Sequence, residues 1–74
     1  KVNADNITIY PNPAHDYVFI NSDEKVFVEV FDIKGVKLKE TQEDYLNVSD
    51  ISKGIYFVKL TGAKNTIVKK LIIH

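Results

Sequence analysis

Apolar and polar residues alternate along most of this chain. The three clearest alternating runs are DYVFIN (16–21), KVFVEVFD (25–32) and GIYFVKL (54–60). In the second run, Val26, Val28 and Val30 share one face and the residues between them form the other. A period of two, filled by β-branched and aromatic residues, is typical of strands that are buried on one side. These runs therefore predict three β-strands.

Four less regular segments complete the pattern. They are NITIY (6–10), VKLKE (36–40), DYLNV (44–48) and TIVKKLII (66–73). In the last segment two sets compete for the inner face, Val68 with Ile72 or Ile67 with Leu71 and Ile73, and the sequence leaves this register open. No window shows a helical stripe, and the segments recur about every ten residues, which is the spacing of a sandwich or barrel. We predict an all-β fold: a compact immunoglobulin-like antiparallel β-sandwich of about seven short strands, with a split barrel as the alternative.

Turn residues support the strand assignment. DIKG (32–35) predicts a tight hairpin, in which the Asp32 side chain accepts hydrogen bonds from backbone N–H groups and Gly35 takes a positive φ. TGAKN (61–65) predicts a second connection of the same kind. SDISKG (49–54) predicts one helical turn that Gly54 ends in the left-handed region, with Ile51 pointing into the core.

Two prolines surround one asparagine after the first predicted strand. Pro11 and Pro13 lack an N–H group and fix φ, so strand pairing is expected to stop there. Pro13 also biases Asn12 away from helical conformations. The stretch is predicted to be a rigid corner in which the Asn12 side chain satisfies a backbone donor.

Composition narrows the function classes. A chain of 74 residues forms one domain, without room for a deep catalytic cleft between lobes. It holds ten lysines against ten acidic residues, no arginine and no cysteine. Because positive and negative charges are equal in number, the composition predicts neither a nucleic-acid-binding surface nor attraction to anionic membranes. No apolar run approaches the roughly 20 residues of a membrane-spanning helix.

Few residues are candidates for catalysis or metal binding. His15 beside Asp16 has the residue types of an oriented base, but no nucleophile motif accompanies the pair. No loop with calcium-binding spacing is present, so solvated turns are the favoured interpretation of the scattered acidic residues. Those residues are Asp23, Glu24, Asp44 and Asp50. The sequence predicts no enzyme activity, no metal and no cofactor.

Four motifs occur in order along the chain: YPNPAHD (10–16), VEVFDIKG (28–35), DISKGIYFVKL (50–60) and KKLII (69–73). Together they resemble the type A C-terminal sorting domain of the Bacteroidetes type IX secretion system. The resemblance covers residues 7–73. It implies a sorting domain over residues 7–74, and it implies that residues 1–6 are the remnant of an upstream linker.

The resemblance also implies a function. Domains of this family direct a periplasmic cargo protein through the outer-membrane type IX translocon, and they perform no catalysis. The expected partners are this translocon with its shuttle protein, a sortase-like cysteine endopeptidase that often removes the domain during surface attachment, and the N-terminal cargo domains of the parent protein. The expected location is the periplasm in transit, then the outer-membrane surface or the medium.

Individual residues carry the resemblance. Lys69, Lys70 and Leu71 match the tail that the translocon is expected to recognise. The remaining matches are expected to be mainly structural; they are Tyr10, Pro11, Asn12, Pro13, Asp16, Asp32, Gly35, Gly54 and Tyr56. His74 departs from the common endings of the family.

One alternative function stays open from the sequence. An accessory immunoglobulin-like or fibronectin-like spacer, or a carbohydrate-binding module of a secreted enzyme, would show the same strand pattern. Carbohydrate sites usually expose aromatic platforms, and this chain has no tryptophan. Phe27, Phe31 and Tyr45 are the expected platform residues for that function.

Overall fold

The computed structural model describes residues 7–74, which form seven β-strands and no helix. The predicted linker remnant, residues 1–6, lies outside the described residues. The strands are β1 (Thr8–Tyr10), β2 (Tyr17–Asn21), β3 (Phe27–Phe31), β4 (Lys37–Thr41), β5 (Tyr45–Asn47), β6 (Gly54–Thr61) and β7 (Thr66–Ile73).

The strands form two antiparallel sheets. One sheet has three strands in the order β1-β2-β5, and the other has four in the order β4-β3-β6-β7. The chain therefore crosses between the sheets after β2, after β4 and after β5. This arrangement confirms the predicted all-β sandwich.

The core lies between the sheets and follows the alternation seen in the sequence. In each of β2, β3 and β6 one of the two alternating sets is buried; the buried residues are Val18, Ile20, Val28, Val30, Tyr56, Val58 and Leu60. In β7, Ile67, Leu71 and Ile73 face inward, while Val68 is 60% exposed. Pairing with β6 decides this register, because Leu71 lies opposite Tyr56 and Ile67 opposite Leu60.

The predicted hairpin between β3 and β4 is confirmed. The Asp32 Oδ1 atom accepts hydrogen bonds from the backbone N–H groups of Lys34 at 2.8 Å and Val36 at 3.0 Å. Gly35 has a φ of +88°. Next to this turn, the pairing of β3 with β4 shifts register between Val30 and Phe31, so that Phe31 lies opposite Lys37.

The predicted helical turn at 49–54 is wrong. The segment contains one tight turn, in which the Ile51 N–H donates to the Val48 carbonyl at 3.0 Å. The Asn47 side chain holds the start of this turn, since its Oδ1 atom accepts from the Ser49 N–H at 2.9 Å and the Ser49 hydroxyl at 2.7 Å. The turn does not continue as a helix, since the chain enters β6 at Gly54, which pairs with Ile73.

Gly54 starts β6 rather than ending a helix. Its φ is +154°, which lies outside the left-handed helical region. The Tyr56 ring packs over it, and the Tyr56 hydroxyl donates to the Ser52 carbonyl at 2.6 Å. Ile51 packs against the core and is partly buried, so it fills the predicted inward position only in part.

Lys39 connects the two sheets at the β4 side of the sandwich. It lies opposite Val30 in β3, and its ammonium group donates to the Asn47 carbonyl at 2.8 Å and to Asp50 Oδ1 at 2.6 Å. The hydrogen bond from Lys39 holds the pKa of the Asp50 carboxyl below its ordinary value. An inward-facing lysine also protects an edge strand from pairing with another chain.

The Gly35 conformation predicts a measurable cost of substitution. Gly35→Val should lower the free energy of unfolding by at least about 1 kcal/mol, because a β-branched residue is strained at this positive φ. Apart from the two adjacent residues, no atom lies within 4 Å of the added Cβ, so backbone strain is the cause rather than a clash. Urea unfolding followed by circular dichroism measures the change. Gly35→Asn is the control and should cost less, and equal losses would contradict the assignment.

The Lys39–Asp50 contact predicts a pH-dependent contribution to stability. Because the folded-state pKa of Asp50 is lowered, the contact stabilises the fold above the unfolded-state pKa and is lost as pH falls through the folded-state pKa. Titration by nuclear magnetic resonance should show the Asp50 pKa rising toward its ordinary value in Lys39→Gln. An unchanged Asp50 pKa in this variant would contradict the contact.

Candidate functional site

The last strand, β7, is held along part of its outer edge by the segment that follows β1. The Asn12 side-chain amide donates from Nδ2 to the Lys70 carbonyl at 2.9 Å. Its Oδ1 atom accepts from the Ile72 backbone N–H at 3.0 Å. We call residues 12–15 the clasp.

Backbone contacts extend the clasp to the end of the strand. The Ala14 N–H donates to the Ile72 carbonyl at 2.7 Å, and the His74 N–H donates to the Ala14 carbonyl at 2.9 Å. The His15 Nδ1 atom lies 2.8 Å from the His74 carbonyl oxygen. Ala14 is fully buried and forms a parallel bridge with Ile73. The clasp therefore acts as a very short added strand.

The sequence explains why a side chain makes the first contacts. Pro13 has no backbone N–H to offer to a neighbouring strand. Asn12 supplies a donor and an acceptor from its amide instead, which copies the hydrogen bonding of a backbone peptide group. The prediction that Asn12 satisfies a backbone donor is confirmed. Its partner, Ile72, is 60 residues away in the chain, which the local sequence does not indicate.

The first half of β7 keeps an open edge. The backbone groups of Lys70 and Ile72 point away from β6 toward the clasp, and alternation makes those of Val68 point the same way. Among residues 7–74, no strand pairs with β7 on this side. Open N–H and C=O groups on an edge strand are the groups to which an added strand binds.

The three predicted recognition residues differ in accessibility. Lys70 is exposed on the outer face of the sheet. Lys69 is half-buried on the inner face, where it lines a shallow cleft with Thr8, Ile9 and Asn12. Leu71 is fully buried in the core. A receptor that binds the folded domain therefore has access to the two lysines but not to the Leu71 side chain.

The other motif residues lie in separate places. Asp32 and Gly35 form the β3–β4 hairpin, and Gly54 with Tyr56 starts β6. Pro11, Pro13 and Tyr10 are exposed around the clasp. The Asp16 carbonyl accepts from the Val48 N–H at 2.7 Å, and the Asp16 side chain points to solvent 3.7 Å from His15 Nε2. These residues do not form one binding site.

Residues 7–74 contain no group of three or more His, Asp or Glu side chains arranged to hold a metal ion. The same residues contain no helix with the length and hydropathy needed to cross a membrane.

Sequence reasoning missed one surface. Four aromatic residues are exposed together on the outer face of the three-stranded sheet: Tyr10, Tyr17, Phe19 and Tyr45. Of the expected platform residues, Tyr45 belongs to this group, whereas Phe27 and Phe31 are half-buried on the other sheet. The alternation of β2 already placed Tyr17 and Phe19 on the same face, so part of this signal was available.

Removing the Asn12 side chain should release the end of β7. Asn12→Ala should lower the free energy of unfolding by about 1 kcal/mol, because it loses two hydrogen bonds at an exposed position. Amide hydrogen exchange at Ile72 should accelerate, since its N–H loses its acceptor. Asn21→Ala, which truncates an exposed asparagine in β2, should leave Ile72 exchange unchanged. Unchanged exchange in Asn12→Ala would contradict the clasp.

Comparisons with known proteins agree with the fold and the motifs. Residues 8–74 match the family described as the secretion system C-terminal sorting domain. The chain is also 31% identical over 72 residues to Beta-agarase D of Zobellia galactanivorans. That alignment covers 95% of this chain but only 15% of the agarase, so the similarity is to a small part of a much longer enzyme. The chain belongs to the family of C-terminal sorting domains of the type IX secretion system.

Proposed function

We propose that this domain marks a periplasmic cargo protein for the outer-membrane type IX translocon, and that the translocon binds the last strand, β7, in its clasped form. Membership of the sorting family supports the first part. The clasp supports the second part, because it fixes the end of β7 while leaving the edge at residues 66–69 open.

The clasp gives a receptor a defined surface to bind. The terminal residues of most domains fray unless other groups hold them. Here Asn12 and Ala14 hold the backbone of Lys70 and Ile72, so the outward side chains of β7 keep fixed positions. A preorganised surface loses less conformational entropy on binding than a flexible tail. The proposed ligand is thus a folded strand edge rather than an unfolded peptide.

The surface at the open edge of β7 is positively charged. Lys70 points outward, and Lys69 lies in the cleft beside the clasp, so two positive charges flank the open edge. They protect the edge from pairing with a second copy of the domain. An acidic partner surface would complement them and speed the encounter. The shuttle protein of the translocon is the proposed first partner.

Removal of the domain after export requires a cut upstream of the sandwich. Ile7 is 2% exposed and β1 starts at Thr8, so the chain is part of the fold from this point. A peptidase needs an accessible, extended segment. We therefore place the site of the sortase-like cysteine endopeptidase before Ile7. The cargo would then reach the outer-membrane surface or the medium without this domain.

The lysines provide a test that separates sorting from folding. Residues 1–74 are fused to a fluorescent protein with a signal peptide and expressed in a bacterium with a type IX system. Lys69→Ala combined with Lys70→Ala should leave signal in the periplasm that the unchanged fusion sends to the surface. The free energy of unfolding should change by less than about 0.5 kcal/mol, because lysine side chains at the protein surface contribute little to stability.

A second pair of lysines is the matched control. Lys34→Ala combined with Lys53→Ala makes the same change in net charge at the end of the sheet opposite residues 66–69 and should leave export normal. An equal loss of export in both double variants would show that export depends on net charge rather than on a contact at the β7 edge. Normal export of the Lys69 and Lys70 variant would exclude these lysines from recognition. An unchanged fusion that stays in the periplasm would contradict sorting by this domain.

A further inference from the structure

The outer face of the three-stranded sheet carries a continuous aromatic surface. Tyr10, Tyr17, Phe19 and Tyr45 are 52%, 42%, 41% and 47% exposed. We call these four residues the aromatic face. Large contiguous apolar patches are uncommon on soluble proteins and usually mark a binding surface.

The rings form a connected row. The Tyr10 and Phe19 ring centroids are 5.7 Å apart with 28° between the planes, and those of Tyr17 and Phe19 are 6.1 Å apart with 18°. Tyr45 joins the row at 6.4 Å from Tyr17 with a tilt of 46°. Three rings are thus nearly parallel, and they stack in a row across β1 and β2 with part of each ring exposed.

On this face the three strands carry only aromatic residues and uncharged polar residues. The outward residues of β1, β2 and β5 are Thr8, Tyr10, Tyr17, Phe19, Asn21, Tyr45 and Asn47. They include neither a charged nor an aliphatic side chain, although 27% of the chain is charged. The outer face of the four-stranded sheet differs, because it mixes Glu29, Lys59 and Lys70 with exposed Ile55 and Val68.

We infer that the aromatic face binds a neutral polysaccharide. The C–H groups on one face of a sugar ring pack on the electron-rich face of an aromatic ring. The sugar hydroxyls find hydrogen-bonding partners in the tyrosine O–H groups and in Asn21. An ionic ligand would require charges that this face does not carry. Protein interfaces are also rich in aromatic residues, so a protein partner is the competing occupant of this face.

This binding is independent of the proposed sorting function. The aromatic face belongs to the three-stranded sheet, and β7 belongs to the other sheet. A glycan on the aromatic face and a receptor at the β7 edge would therefore contact different side chains. Failure of one proposal leaves the other intact.

Affinity electrophoresis of residues 1–74 tests the inference. Native gels contain hydroxyethyl cellulose, galactomannan or β-1,4-galactan as neutral probes, and alginate as an anionic one. The domain should be slowed in at least one neutral gel and not in alginate. Phe19→Ser should weaken the binding about tenfold, because it interrupts the row of rings.

Phe57→Ser is the matched control. Phe57 is the same residue type with a similar exposed fraction, 38%, on the outer face of the other sheet. It should leave the affinity unchanged. Circular dichroism verifies the fold of each variant, and Tyr45→Ser replaces Phe19→Ser if the latter does not fold.

Three results would overturn the inference. The first is the absence of retardation in all three neutral gels. The second is an equal loss of affinity in Phe19→Ser and Phe57→Ser. The third is a concentration-dependent dimer, seen by sedimentation, that Phe19→Ser abolishes, since the face would then serve self-association.

Discussion

The contact between Asn12 and the backbone of β7 holds one side of the sandwich together. Asn12 follows β1 in one sheet and binds Lys70 and Ile72 in the other. On the opposite side, Lys39 of β4 reaches Asn47 at the end of β5. Polar side chains thus join the sheets at both edges. Apart from the short Ala14–Ile73 bridge, no strand pairing joins the sheets among the described residues, and for this reason the fold is a sandwich rather than a barrel.

Local patterns predicted the features that depend on a few neighbouring residues. The alternation of β2, β3 and β6 and the Asp32–Gly35 turn are of this kind. The register of β7 does not depend on neighbouring residues alone, because its two apolar sets are similar and pairing with β6 decides which set is buried. The helical turn at 49–54 failed for a related reason. The pairing of Gly54 with Ile73 and the bond from the Tyr56 hydroxyl to Ser52 hold this segment, and helix propensity does not include such contacts.

The candidate sites illustrate the same limit. Alternation predicts which aromatic residues point outward, but it does not say which strands become neighbours. The order β1-β2-β5 places Tyr10 opposite Phe19 and Phe19 opposite Tyr45, although Tyr45 is far from both in the sequence. Likewise, Asn12 was expected to find a backbone donor, and only the folded chain brings that donor from β7. Long-range neighbours therefore determine both surfaces.

The last strand serves stability and the proposed recognition at the same time, and its register links them. Successive residues of a strand point to opposite faces, so a slip by one residue exchanges the two faces. Such a slip in β7 would expose Leu71 and bury Lys70. The clasp resists it, because Asn12 has a donor and an acceptor spaced for Lys70 and Ile72. The core and the clasp therefore select the same register, and the lysine surface is presented only when both are in place.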